Sequence, residues 1–150
     1  DARAPTEMIF GVGIGYLFSL RIAGNIAGQK VLGSLEFACQ AKCSKVILVL
    51  GHTDCGAVTS ACQLRLQQKQ IADVKEMPHI QYVIGPLMHS VESVYDIMQP
   101  RELKKTCVNK VTAMNVHYNI QYIINNNKVL KDLLDGGEIA IVGAIYDVKT

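Results

Sequence analysis

Apolar residues along this 150-residue chain fall either into short unbroken runs or into helical spacing, and the alternation of the two organises the whole sequence. The run Val46-Ile47-Leu48-Val49-Leu50 follows Lys45 and stops at Gly51. A β-branched and leucine run of this kind suits a parallel strand covered on both faces. Glu138 to Tyr146 predicts a last strand, and Phe18 to Ile22 an earlier one, ended by Ala23-Gly24-Asn25. Between them, Leu32, Leu35, Ala38 and Cys39 recur at helical spacing within 31–43. A second helix is predicted over Gly56 to Gln70, its outer face marked by glutamines. Pro78 suits the first turn of a third, running to about Met98 and kinked or split at Gly85-Pro86. Pro100 and Arg101-Glu102 open a further long helix that reaches about Asn125. Asn125-Asn126-Asn127 marks a break, and Lys128 to Leu134 a short helix before Asp135-Gly136-Gly137.

Strands alternating with helices predict an α/β fold: one domain over residues 1–150, with a mainly parallel central β-sheet flanked by helices. In such sheets ligands sit beyond the carboxyl ends of the strands. The Gly51-His52 turn lies at such an end.

Composition narrows the function classes. The net charge is only +2, and apart from adjacent Lys104 and Lys105 the basic residues are scattered. No phosphate-tracking stripe results, so nucleic acid is not an expected partner. No apolar stretch approaches the roughly 18–20 residues a membrane span needs. Cys39, Cys43, Cys55, Cys62 and Cys107 are odd in number and lack disulfide-like spacing. Reduced thiols in a reducing, cytoplasmic setting are expected, most of them packed as small hydrophobes. The first residue is Asp1 rather than Met, so the native start and any targeting segment are expected to lie outside the sequence.

Cys55 stands apart because of its neighbours. Leu50-Gly51-His52-Thr53-Asp54-Cys55-Gly56-Ala57-Val58 puts an imidazole and a thiol three residues apart at a strand-to-helix turn. Both are good zinc ligands, with bonds of about 2.0 and 2.3 Å. The flanking glycines let the backbone bend. The helix N-terminus beyond Cys55 supplies partial positive charge that suits a thiolate. Taken alone, the pair reads more readily as a packed histidine beside a buried thiol.

The opening of the chain changes that weighting. Asp1-Ala2-Arg3 sets a carboxylate and a guanidinium on one face of an extended backbone. With Ala4-Pro5-Thr6-Glu7, it resembles the C-x-D-x-R signature of beta-class carbonic anhydrases, whose cysteine would lie two residues before Asp1. Gly15-Tyr16-Leu17-Phe18-Ser19-Leu20-Arg21-Ile22-Ala23-Gly24-Asn25 is similar to that family's G-D-L-F-x-x-R-x-A-G-N segment, with Tyr16 in place of the acid. Ser34-Leu35-Glu36-Phe37-Ala38, the His52–Cys55 turn and Val142-Gly143-Ala144-Ile145-Tyr146-Asp147 continue the resemblance in order.

The resemblance implies a zinc enzyme hydrating carbon dioxide to bicarbonate and a proton. His52 and Cys55 would be metal ligands, Asp1 would orient the metal's water, and Arg3 would keep Asp1 ionised and off the metal. Zn2+ is the implied cofactor, carbon dioxide and bicarbonate the small-molecule partners, and a homodimer or tetramer the implied assembly. Truncation at both ends is expected, with the N-terminal arm and first cysteine missing and a further strand beyond Thr150. Two other readings stay open: a carbon disulfide or carbonyl sulfide hydrolase on the same scaffold, and a metal-free, non-catalytic domain used for binding or attached to a transporter.

The remaining features have plainer readings. Gly11-Val12-Gly13-Ile14-Gly15 precedes a predicted strand instead of following one, so a tight turn explains it better than a dinucleotide loop. His79, His89 and His117 are isolated and read as surface or satisfied core residues, and Met88 and Met114 as core filler.

Overall fold

The computed structural model describes residues 1–42, 44–97 and 105–149. In chain order the elements are α1 (Thr6–Phe10), α2 (Gln29–Gln40), β1 (Val46–His52), α3 (Gly56–Leu66), α4 (Gln81–Tyr95), α5 (Lys105–Asn126), α6 (Lys128–Asp135) and β2 (Ala140–Tyr146). Short 3-10 turns occupy Ala23–Asn25 and Ile71–Asp73. The two unbroken apolar runs are the two strands, and they pair in parallel with Val49 opposite Gly143 and His52 opposite Tyr146. The α/β expectation is met, with helices flanking a parallel sheet.

Helix α5 is the axis of the packing. On one side Val58, Ala61, Ile84, Leu87, Val91 and Val111 join α3, α4 and α5 into one cluster. On the other, Leu32, Ile47, Val49, Val116, Ile123 and Leu130 join α2, the sheet, α5 and α6 into a second. Met88 and Met114 pack half-buried against the first cluster, as core filler should.

Two strand glycines set how close α5 comes. A Cβ at Gly51 would lie 2.9 Å from Val116 Cγ2 and 3.1 Å from Thr112 Cγ2. At Gly143 it would lie 2.6 Å from Val116 Cγ1 and 3.0 Å from Ile120 Cδ1. Neither strand tolerates a side chain there, because interiors are already packed at crystal-like density.

Several boundaries differ from expectation. Phe18–Ile22 is not a strand: the stretch has no sheet partner and runs irregularly into the Ala23–Asn25 turn. Side chains hold it to the start of the chain instead. Ser19 Oγ lies 2.7 Å from Thr6 Oγ1 and donates to Glu7 Oε1 at 3.1 Å, while Arg21 donates to the Ala2 carbonyl at 2.5 Å. This stretch and β1 both line a cavity of about 470 Å³. One face of β1 is covered along its length by burial of Ile47 and Val49, while the other is covered only toward the carboxyl end: Val46 is 60% and Leu48 37% exposed, but Leu50 and His52 are buried.

Pro86 neither splits nor ends α4, which starts at Gln81 rather than Pro78 and carries the proline inside it. The carbonyl that Pro86 leaves without its usual donor belongs to Tyr82, a largely exposed residue in the first turn of the helix. The expected helix start at Pro100 to Glu102 and the position of Cys43 lie outside the described residues. The break in the triple asparagine falls at Asn127, whose side chain caps α6 by accepting from Leu130 N–H at 3.0 Å and donates to Glu36 Oε1 at 2.8 Å.

Candidate metal centre

The carboxyl end of β1 delivers His52, and α3 begins one residue after Cys55. Both side chains are buried, at 1% and 2% exposure. The Thr53-Asp54 spacer makes them converge because Asp54 adopts the left-handed region, φ 53°. Aspartate reaches that region more readily than most residues. The turn is then tied to the end of β2: Thr53 N–H donates to Tyr146 O at 2.9 Å, Thr53 Oγ1 donates to Asp147 Oδ1 at 2.9 Å, and Val148 N–H donates to Thr53 Oγ1 at 3.1 Å. The Thr53 hydroxyl and the Lys149 N–H together hold the Asp147 carboxyl below its usual range.

Asp1 completes the cluster. Its Oδ2 accepts from Gly24 N–H at 2.9 Å and from the Cys55 thiol at 3.2 Å, and its Oδ1 lies 3.4 Å from His52 Nε2. One ligand atom from each of Asp1, His52 and Cys55 lies within 4.8 Å of the others. Arg3 is not part of this group; it is exposed and makes no ion pair with Asp1.

The donor set fits a metal ion on the ground of one orphaned atom. His52 Nδ1 sits 2.7 Å from Thr53 O, a carbonyl that only accepts, so this nitrogen carries the proton. In the neutral ring, Nε2 then bears a lone pair, and that atom is buried with no hydrogen-bond partner. It faces a carboxylate and a thiol, the groups with which imidazole shares zinc. A carbonyl bond on the other ring nitrogen is the usual means of fixing a ligating histidine.

Part of this machinery was not foreseen. Asn115 and Asn119, four apart on α5, are buried. Asn115 Nδ2 donates to Gly24 O at 2.8 Å, and Asn119 Oδ1 accepts from Ala27 N–H at 2.6 Å. Asn119 Nδ2 in turn donates to Asn115 Oδ1 at 3.0 Å. This pair shapes the turn in which Gly24 has φ 70° and Asn25 φ 45°, and so aims the Gly24 N–H at Asp1. The available signal was two amides at i, i+4 on a helical face that also carries the apolar Val111, Val116 and Ile123. By contrast, His79, His89 and His117 are exposed and away from the cluster, with His79 and His89 stacked on Tyr82 and Tyr118. Gly11 and Gly15 serve turns, both with positive φ.

The carbonic anhydrase family model matches residues 1–150 of this chain. The chain belongs to the beta-carbonic anhydrase family. Carbonic anhydrase 2 of Mycobacterium tuberculosis is 28% identical over 152 residues; the match takes in 99% of this chain but only 66% of the relative's length. Among solved structures, the beta-carbonic anhydrase CafA of Aspergillus fumigatus superposes with a TM-score of 0.81 at 23% identity, over 100% of this chain and 68% of that one. A structure from the work on two tetrameric beta-carbonic anhydrases of Sordaria macrospora gives 0.77 at 22% identity, over 99% and 72%. These structural likenesses establish the fold. No described helix is long and apolar enough to cross a membrane.

Proposed function

We propose that the protein is a zinc-dependent carbonic anhydrase, a lyase interconverting carbon dioxide and bicarbonate with release or uptake of a proton. The observation that carries this reading is the buried, unpartnered Nε2 of His52 facing Asp1 and Cys55. Zinc held by these residues would supply a water acidic enough to act as a nucleophile near neutral pH. The chain's own residues supply the rest. His52 keeps its Nε2 lone pair aimed into the site through the Nδ1 bond to Thr53 O. Cys55, whose thiol donates to Asp1 Oδ2 beside the Gly24 N–H, would hold the metal as a thiolate.

Asp1 then has two uses: third ligand to the metal, or acceptor for a proton-bearing group at the site. The exposed Arg3 is proposed to select the second use by pairing with Asp1 and drawing it away from the metal. Cys55 belongs to the buried apolar cluster that includes Ile26, Val58 and Leu87, a surrounding suited to an uncharged substrate.

Zinc content per chain, by elemental analysis after dialysis, together with carbon dioxide hydration by stopped-flow pH change, tests the proposal. Near-stoichiometric zinc and hydration that disappears in Cys55→Ser are expected. Protein that stays zinc-free in excess zinc would instead leave a binding domain on an enzyme scaffold.

We also propose a homodimer or tetramer, as in the Sordaria macrospora enzymes. Its support here is the exposure of Val46 (60%), Phe18 (47%) and Val142 (45%), large apolar side chains without cover. Light scattering on the purified chain tests this; a monomer at micromolar concentration would refute it.

A further inference from the structure

Among the described residues the sheet holds only β1 and β2, so one edge of β1 has no strand beside it. Ala140 N–H donates to Lys45 O and Thr53 N–H to Tyr146 O, both at 2.9 Å. In the parallel register that follows, the backbone of the odd-numbered residues from 45 to 53 points toward β2. The N–H and C=O groups of Val46, Leu48 and Leu50 therefore point the other way. Leu50 O bears this out by accepting from the Asp1 nitrogen at 3.2 Å. Val46 and Leu48 give no bond to the β2 ladder.

That edge lies in a slot. Residues 46–50 all line the cavity of about 470 Å³, together with Leu17, Leu20, Ile22 and Leu35, whereas no β2 residue lines it. Free edges are ordinarily kept from pairing by charge, proline or a bulge. Residues 46–50 carry no charge and no proline, and their register with β2 is unbroken. The charge stands just outside: Lys45, exposed at the amino end of the edge, lines the same cavity.

We propose that this edge is a docking surface for an extended segment of another polypeptide: about five apolar, proline-free residues with an acidic residue at the end that reaches Lys45. Five residues in strand conformation span about 16 Å, the length of the edge. Their backbone pairs with Val46 and Leu48, their side chains fill the cavity, and the carboxylate meets the Lys45 ammonium. His52 and Cys55 take no part in this surface, so it stands or falls apart from the metal chemistry.

The test uses the whole chain and two blocked hexapeptides of alternating valine and alanine, one with glutamate in the first position and one with it in the last. Titration is followed by amide NMR and hydrogen exchange. Saturable binding of at least one peptide is expected, with exchange at the Val46 and Leu48 amides slowed roughly tenfold or more and the outward Ile141 and Gly143 amides of β2 unchanged. N-methylation of the valines, or of the alanines, should weaken binding roughly tenfold or more in at least one case, since one alternate set must face the edge. Lys45→Glu should reverse the preference, favouring the peptide with lysine in place of glutamate. Leu48→Pro removes an edge N–H that the β1–β2 ladder does not use, so it should keep the fold and lose the peptide. Binding that survives both methylations, ignores Lys45→Glu or protects the β2 edge would overturn the proposal, as would no binding at millimolar peptide. Should Leu48→Pro fail to fold, the methylated peptides decide alone.

Discussion

The two limbs of the candidate metal centre are held in different ways. The His52–Cys55 limb ends the central strand, and three hydrogen bonds at Thr53, two donated and one accepted, fasten its turn to the end of β2. The Asp1 limb reaches the same point from outside the sheet. It rests on the Gly24 N–H, on the Asp1 nitrogen donating to Leu50 O at 3.2 Å, and on Arg21 holding the Ala2 carbonyl. Asp1 also lines the cavity shared by residues 16–20 and β1. The first limb is a property of the core, the second a property of a few polar contacts. Chemistry that needs a fixed ligand falls to the first, and chemistry that needs a group able to move falls to the second.

The largest effect is expected from breaking the rigid limb. Zinc binding of about 10–16 kcal/mol spread over three or four ligands gives each about 3–4 kcal/mol, so His52→Ala should weaken zinc roughly 10²–10³-fold. Asp1→Asn keeps the shape and most hydrogen bonding of its limb and should cost far less. Competition with a chromophoric chelator measures both. Equal losses would show that the two limbs are not distinct.

Next comes the packing that positions the strand end. Gly143→Ala places a methyl 2.6 Å from Val116 Cγ1, and overpacking of this kind costs about 1–3 kcal/mol. The double variant Gly143→Ala, Val116→Ala should recover part of that loss, since the clash is between those two groups. Chemical denaturation of the unaltered protein, both single variants and the double variant gives the coupling directly.

How much of this was legible beforehand follows the same division. The unbroken runs at 46–50 and 139–145 became the two strands, and the His52–Cys55 spacing brings the imidazole and the thiol together beside Asp1. In both cases the local pattern and the buried environment ask for the same residues. Residues 18–22 look like a strand by composition, but strand formation needs a partner edge at hydrogen-bonding distance. Here Ser19 and Arg21 bind α1 and Ala2 instead. The proline in α4 misled for a related reason: a missing N–H matters only where its partner carbonyl is buried. Asn115 and Asn119 were passed over because a helical amide reads as surface until the turn it holds is known.

Those asparagines give the third prediction, aimed at the Asp1 limb from below. Asn115→Ala removes the donor to the buried Gly24 carbonyl and one acceptor for Asn119. Leaving such groups unpaired costs about 1–3 kcal/mol. Asn115→Asp keeps an acceptor for Asn119 but still lacks the donor, so it should not restore stability. Beyond the lower melting temperature, the Gly24 amide should lose hydrogen-exchange protection while Val49, in the paired strand, keeps it. Loss spread evenly over both would place the network in the general core and not under one limb.

The smallest effect concerns the tie between Thr53 and Asp147. The Asp147 carboxyl is held below its ordinary value, first by the Thr53 hydroxyl and then by the Lys149 N–H. A depressed folded-state value stabilises the fold above the unfolded-state value, about 3.9 for aspartate. That contribution is lost as pH falls through the lower folded-state value. The tie should therefore be intact at neutral pH and loosen only in acid, below about pH 4. Because the group is exposed, global stability should barely register the change. The Val148 amide, which donates to Thr53 Oγ1, is the place to look. Its NMR shift should titrate in acid, and Asp147→Asn should flatten the titration while leaving zinc affinity within about twofold, the scale of a surface substitution. A large loss of zinc in that variant would mean that the β2 end does more than hold the turn, and that the rigid limb extends to Asp147.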